Sequence, residues 1–164
     1  MFGYLARTLP VIVRASLHRD GSLVSRLRRR VRLSEIDPNI HMNQAAFAMV
    51  TEYGRTDWAI RSRAWARWRG AGVKPVVAEQ RIVYRRELRA GTRYVIDTRA
   101  TAVDGRLLCL EGLMIVGDRV HARNDVKLIF IGPRGVLSAD ELAPQCEGLL
   151  APPLAVEDWR VVDG

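Results

Sequence analysis

The chain has 164 residues, which fits one domain on the usual scale of about 100–200 residues and is long enough to bury roughly 70% of the unfolded surface without covalent staples. Apolar residues are 48% and charged residues 27%, a globular balance that excludes a mainly disordered chain, a collagen-like repeat and a polytopic membrane protein. The formal charge is +8; only Lys74 and Lys127 are lysines, so the basic surface is guanidinium, suited to phosphate-bearing partners, although net charge cannot choose among nucleic acid, anionic lipid and nucleotide-bearing small molecules.

Residues 1–22 form an arm of apolar residues interrupted by Arg7, Arg14, His18 and Arg19. Its apolar stretch is shorter than the roughly 20 residues needed to cross a bilayer, and no cleavage signal follows it. Two readings stay open: an amphipathic helix making weak contact with a membrane surface or a partner subunit, or an arm packed on its own domain. Residues 23–143 form the main domain and 144–164 a tail. From Leu23 to Leu33, Leu27, Val31 and Leu33 share one parity and Arg28, Arg30 and Arg32 the other, a strand with one wet face. No stacking aromatics accompany the arginines, so nucleic acid is not expected there.

The segment Ser34–Asn43 is polar, contains proline and precedes a helical stripe of Ala46, Phe47, Val50, Tyr53, Gly54 and Trp58, with Asn43 as the N-cap. Gly54 inside that stripe costs stability unless something packs closely against it. A second helical piece spans about Asp57–Arg69, carries Trp58, Trp65 and Trp68, and stops at Gly70–Gly72. Four strands follow: Pro75–Leu88, Tyr94–Val103, Leu107–Val116 and Arg119–Ile131, with tight turns at Asp104–Gly105 and Gly117–Asp118. A helical turn is expected near Ser138–Leu142, and a surface loop from Pro144 onward. One helical segment among a run of antiparallel strands makes an α+β fold.

That layout, together with Asp37-Pro38-Asn39-Ile40-His41-Met42-Asn43, resembles the hotdog-fold thioesterases, in the 4-hydroxybenzoyl-CoA thioesterase-like branch. The later segment Tyr84-Arg85-Arg86-Glu87-Leu88, followed by Gly91, looks like the strand that family places after its helix. The resemblance covers about Leu27–Ile131. It implies a curved antiparallel sheet of about five strands around a central helix, and a homodimer, often paired again into a tetramer. It also implies an acyl-CoA or acyl-carrier-protein thioester substrate, with coenzyme A entering as part of the substrate rather than as a cofactor. A place in lipid metabolism goes with it. The two cysteines, Cys109 and Cys146, make neither a disulfide framework nor a zinc site and are expected to be free thiols in a reducing cytoplasm.

Thioester hydrolysis needs an activated water or a nucleophile, and donors for the developing oxyanion. Asp37 is the candidate for the first role, as general base or as nucleophile; its other reading is a loop-capping carboxylate. Backbone N–H groups at the helix start, near Asn43 and Gln44, are the candidate oxyanion donors, and the resemblance implies that of Gln44. The similar motif of plant acyl-carrier-protein thioesterases implies roles for Asn39 and His41, against the plainer readings of a turn residue and a structural loop histidine. Glu87 falls where those enzymes keep a carboxylate, and Glu79 is a second acidic candidate. Arg85, Arg86, Arg89 and Arg123 are candidates for coenzyme A phosphates. Trp58, with Trp65 and Trp68, lines an acyl tunnel or packs in the core. No second ligand stands at metal spacing from His121, so no metal is expected. The competing function on the same fold is a non-catalytic acyl-CoA or lipid-binding protein. A hotdog dehydratase would need a His–carboxylate motif that is not found.

Overall fold

Alternating burial along the chain builds one antiparallel sheet, and a long apolar helix fills its concave side. The computed structural model describes residues 2–162, with side chains from residue 6 onward; Met1 and the last two residues of the tail lie outside the described residues. Helix α1 (Phe2–Leu17) is followed by β1 (Val24–Arg30), a 3-10 turn at Leu33–Glu35, α2 (Gln44–Arg61) and α3 (Ala64–Gly70). Then come β2 (Lys74–Tyr84), β3 (Arg93–Asp104), β4 (Leu107–Val116) and β5 (Arg119–Gly132). The chain closes with β6 (Gly135–Val136), α4 (Ala139–Cys146), β7 (Val156–Glu157) and β8 (Arg160–Val161). The long strands run in the order β1-β3-β4-β5-β2, all neighbours antiparallel. The three two-residue strands bring the sheet to 8, more than the five expected.

Helix α2 lies on the sheet through Phe47, Val50, Tyr53 and Trp58, all buried. Gly54 meets β3: a Cβ there would collide with Thr98 Oγ1 and stand 2.9 Å from Ile96 Cγ2. The helix costs stability at this glycine and recovers it by close approach to the sheet. Helices α2 and α3 are separated at Arg63, which takes a left-handed φ of 65°. The core has two centres. One gathers Trp58, Trp68 and Phe130, and the other Phe47, Tyr53, Leu88 and Tyr94.

Three segments depart from expectation. The first strand stops at Arg30, because Leu33–Glu35 turns into the loop, where the Glu35 carboxylate accepts Arg32 N at 2.9 Å. Strand β2 stops at Tyr84 rather than Leu88: Arg85 N and Arg86 N both donate to His121 O, and the chain leaves the ladder. The tail is not simply a surface loop. Helix α4 runs through Pro144, capped by Ser138 and Glu141, and Leu149, 2% exposed, joins the Trp58 centre. Beyond it Ala151 N donates to Ala100 O and Leu154 N to the buried Glu111 carboxylate.

Helix α1 packs on α2 through Val11 and Ala15, and Arg7 donates to Ser34 Oγ. Its Leu9, Ile12, Val13 and Leu17 are exposed. Among the described residues, no helix is long and apolar enough to cross a membrane.

Candidate functional site

The loop that follows the 3-10 turn is shaped by its own backbone bonds. Asp37 N donates to His41 O at 2.8 Å and Ile40 N to Asp37 O at 3.0 Å, a closed turn. Asp37 Oδ1 accepts Asn39 N at 2.9 Å and His41 N at 3.3 Å, the arrangement short acidic side chains favour in turns. Asp37 Oδ2 bonds no protein group among the described residues. Ile40 sits at φ 63°, a conformation a β-branched residue resists, and it turns the chain so that His41 bridges Arg89 in antiparallel fashion. Asn43 N donates to Glu35 O and Met42 N to Leu88 O, pinning the loop's far end.

The second wall comes from the chain after β2. Glu87 Oε2 lies 2.6 Å from His41 Nε2, and Glu87 Oε1 accepts Arg89 Nε at 2.6 Å. His121 Nδ1–H donates to Glu87 O at 2.9 Å, fixing the backbone beneath that carboxylate. The Arg89 hydrogen bond, helped by the charges of Arg89 and His41, holds the Glu87 carboxyl below the ordinary carboxylate range. With Nε2 engaged by Glu87, Nδ1 is the His41 ring nitrogen that Glu87 leaves unoccupied.

An open cleft of about 440 Å³ lies between these walls, lined among others by Asp37, His41, Gln44, Tyr84, Arg86 and Glu87. Its floor is Phe47, edge-on to Tyr84 with ring centres 5.1 Å apart. Arg85 also reaches the cleft. Asn43 caps α2: its Oδ1 accepts Ala45 N at 2.8 Å, so the cap does not occupy the neighbouring Gln44 N. Gln44, the first residue of the helix and at its positive end, lines the cleft. The arrangement therefore holds two carboxylates, one imidazole and the first residue of a helix around one space.

Not every expected residue arrives there. Asn39 is exposed and takes part through its backbone N–H. Glu79 stands on β2 near Lys127, 3.8 Å away. Arg123 is paired with Glu111 and Asp125. Arg89 is engaged by Glu87. Trp58 is 1% exposed and donates Nε1–H to Leu23 O; it lies fourteen residues beyond Gln44, about 21 Å along the helix. There it lines an apolar cavity of about 390 Å³ with Ile12, Trp65, Trp68, Val77 and Leu128. Tyr84 and the supporting role of His121 were not anticipated. The signal for His121 was its parity with Arg123 on β5, which says nothing of the loop it meets. Among the described residues, no group of three or more His, Cys, Asp or Glu could hold a metal ion.

Comparisons with known proteins agree with this fold. Solved structures that superpose include the probable thioesterase YbaW from Escherichia coli, with a TM-score of 0.71, 20% identity, and coverage of 77% of this chain and 99% of that one. The 12:0-ACP thioesterase from Umbellularia californica gives a TM-score of 0.72 at 14% identity, over 84% of this chain and 54% of that one. The 1,4-dihydroxy-2-naphthoyl-CoA thioesterase Slr0204 from Synechocystis gives 0.62 at 13% identity, over 76% and 97%. At these identities the likeness is one of fold, the hotdog. No curated protein matches the sequence. The family model of the thioesterase-like superfamily matches residues 31–141, which include the whole Asp37–Asn43 loop and the Glu87 segment, and the chain belongs to that superfamily.

Proposed function

We propose that the protein hydrolyses acyl thioesters of coenzyme A or of an acyl-carrier protein, at the cleft between the Asp37–Gln44 loop and the Glu87 segment. The observation that carries this reading is the meeting of Asp37, His41, Gln44 and Glu87 in one cleft from two distant parts of the chain. In this reading the thioester carbonyl lies against the start of α2, where Gln44 N–H takes the developing oxyanion. Asp37 uses its unbonded oxygen to draw a proton from water as that water attacks the carbonyl carbon. The C–S bond then breaks, and the thiolate leaves. His41, oriented by Glu87, relays the proton that Asp37 took from water to the departing sulfur, which returns both side chains to their starting state. Water and thioester become acid and thiol, with no other reactant. Arg85 and Arg86 make the cleft wall electropositive, which suits the anionic product and carrier.

A homodimer fits the same reading. Among the described residues strand β2 pairs only with β5, and Val76 and Val77 on it are exposed, the kind of edge that proteins cover. The test is free-thiol release from short, long and aromatic acyl-CoAs and from an acyl-carrier protein, with the oligomer measured by sedimentation. Turnover on at least one panel member supports the proposal. Tight acyl-CoA binding without turnover on any member overturns hydrolysis and leaves a binding protein on this fold.

A further inference from the structure

Helix α1 turns its larger apolar face away from its own domain. Among its described side chains, Thr8, Val11 and Ala15 are the buried ones, and they span roughly 60° of the helix at about 100° per residue. Arg7 also reaches inward, to Ser34 Oγ and Met49 Sδ. Leu9, Val13 and Leu17 follow one another at i, i+4 and i+8 and are 59%, 50% and 78% exposed, with Ile12 at the edge of the stripe. These four cover roughly 140° of the helix. A helix that served only to cover α2 would turn its leucines inward, since burial is what makes such side chains stabilising.

The apolar surface runs on past the helix. Ile12 and Trp65 of α3 line the same cavity, and Trp65 is 46% exposed whereas Trp58 and Trp68 are buried. An exposed indole beside an apolar stripe is the side chain enriched where water meets lipid.

The free charges beside this surface are of one sign. The chain has no acidic residue before Asp20, and Asp20 is taken up by Arg61. Arg14 lies about 60° around the helix from Leu17, and Arg19 stands just beyond the helix end. Both are exposed and form no ion pair among the described residues. The same holds for Arg63 and Arg69, which flank Trp65 in the chain. Glu52 and Arg55, half-buried in the cavity wall, add one charge of each sign.

Length and Pro10 set the depth. The helix has 16 residues, about 24 Å, shorter than the roughly 30 Å of a bilayer's hydrocarbon. Pro10, inside it, has no N–H for the helical ladder, a gap that wet headgroups satisfy and hydrocarbon does not. Both place the helix flat in an interface rather than across a membrane.

We propose that α1 docks the protein on an anionic phospholipid surface, with Leu9, Val13 and Leu17 among the first acyl carbons and Arg14 and Arg19 on the phosphates. A second copy of the chain is the other way to cover an apolar face. Each copy carries a net charge of +8, however, and the cations beside the stripe would meet like charge across such an interface, whereas a lipid phosphate offers them the opposite charge. Arg7 ties the helix to Ser34, three residues before Asp37, a chain distance of at most about 11 Å, so docking also keeps the loop of the cleft close to the surface.

The test is co-sedimentation of the full chain with vesicles of phosphatidylcholine alone and of phosphatidylcholine with about one-third phosphatidylglycerol, at low and high salt. Wild type is compared with Leu9→Gln/Val13→Gln/Leu17→Gln, with Arg14→Gln/Arg19→Gln, and with Val103→Gln/Val162→Gln, which changes exposed valines on β3 and the tail. Unfolding midpoint and oligomeric state are recorded for each; glutamine suits a helix, and the exposed positions leave the core untouched. Docking requires wild type to bind the anionic vesicles about tenfold or more tightly than the neutral ones, with the difference shrinking at high salt. The triple variant loses about tenfold or more on the anionic vesicles. The arginine variant weakens on those vesicles and not on the neutral ones, and the valine control binds as wild type. Absence of wild-type binding to either vesicle, equal binding to both, or full anionic binding by the triple variant each overturns the proposal. If wild type ignores vesicles and the triple variant turns a larger oligomer into a smaller one, the face belongs to a second copy instead. None of these outcomes involves turnover, so they stand apart from the hydrolase reading.

Discussion

The two oxygens of Asp37 stand in different surroundings. Oδ1 is held by two loop amides, and Oδ2 bonds no protein group among the described residues. The loop-capping reading and the catalytic reading of this residue are therefore both compatible with the turn, one for each oxygen. At Glu87 the decisive neighbour is Arg89, whose hydrogen bond keeps the carboxyl ionised to lower pH than an ordinary glutamate. Removing Arg89 lets the carboxyl protonate at higher pH, so it loses its charge earlier as pH falls. Arg89→Ala is accordingly expected to lose activity on the acid side sooner than wild type, read as the ratio of kcat/KM at about pH 5 to that at about pH 7. An unchanged ratio would show that the Glu87 charge does not matter to turnover. Glu87→Gln is expected to lower kcat by about 10–10²-fold, by loosening the His41 imidazole. The sequence supplied Asp37, His41 and Glu87 as residue types at suggestive spacings. That His41 and Glu87 touch could not be read from them, because the contact spans 46 positions and depends on where β2 ends.

Among the elements, the α2–β3 contact and the loop before α2 are the most constrained. Gly54→Ala is expected to destabilise by about 1–3 kcal/mol, since its methyl must displace Thr98 and Ile96; urea unfolding reads this, and an unchanged midpoint would mean that the helix can lift from the sheet. Ile40→Asn keeps the left-handed turn at φ 63° with a residue that tolerates it, so a gain of up to about 1 kcal/mol is expected. A loss of stability would mean that the exposed Ile40 side chain packs in solution. The helix and the long strands were legible because apolar spacing reports burial directly. Their ends were less so. Strand β2 still looks like a strand at Arg85–Leu88, and only the capture of two successive amides by His121 O ends it. The αL residue Arg63, which parts α2 from α3, carries no glycine or asparagine to announce it.

For the whole molecule, the tail is part of the core. Leu149→Ala is expected to cost about 2–4 kcal/mol, as for a fully buried leucine; a cost under about 1 kcal/mol would make the tail a loosely attached strap. The sequence hid this because Pro144 and Pro152-Pro153 look like loop punctuation, whereas helix α4 runs through Pro144 at the cost of one helical hydrogen bond and Leu149 beyond it still packs in the core. The arm shows the opposite ambiguity. Helix α1 has one face on α2 and a second apolar face, Leu9, Val13 and Leu17, open to solvent, so apolar spacing alone could not say which face would be covered.

The sharpest measurement separates the two oxygens of Asp37. Asp37→Asn keeps an Oδ1 that can hold the amides of Asn39 and His41, and it removes the charge and basicity of the other oxygen. Steady-state hydrolysis of the best acyl-thioester is compared between wild type and this variant, with unfolding midpoint and oligomeric state recorded for both. Catalysis by Asp37 requires kcat to fall by about 10² or more while the fold and oligomer stay as they were. Turnover within about threefold of wild type would contradict it, leaving Asp37 as the cap of a loop whose chemistry belongs to His41 and Glu87.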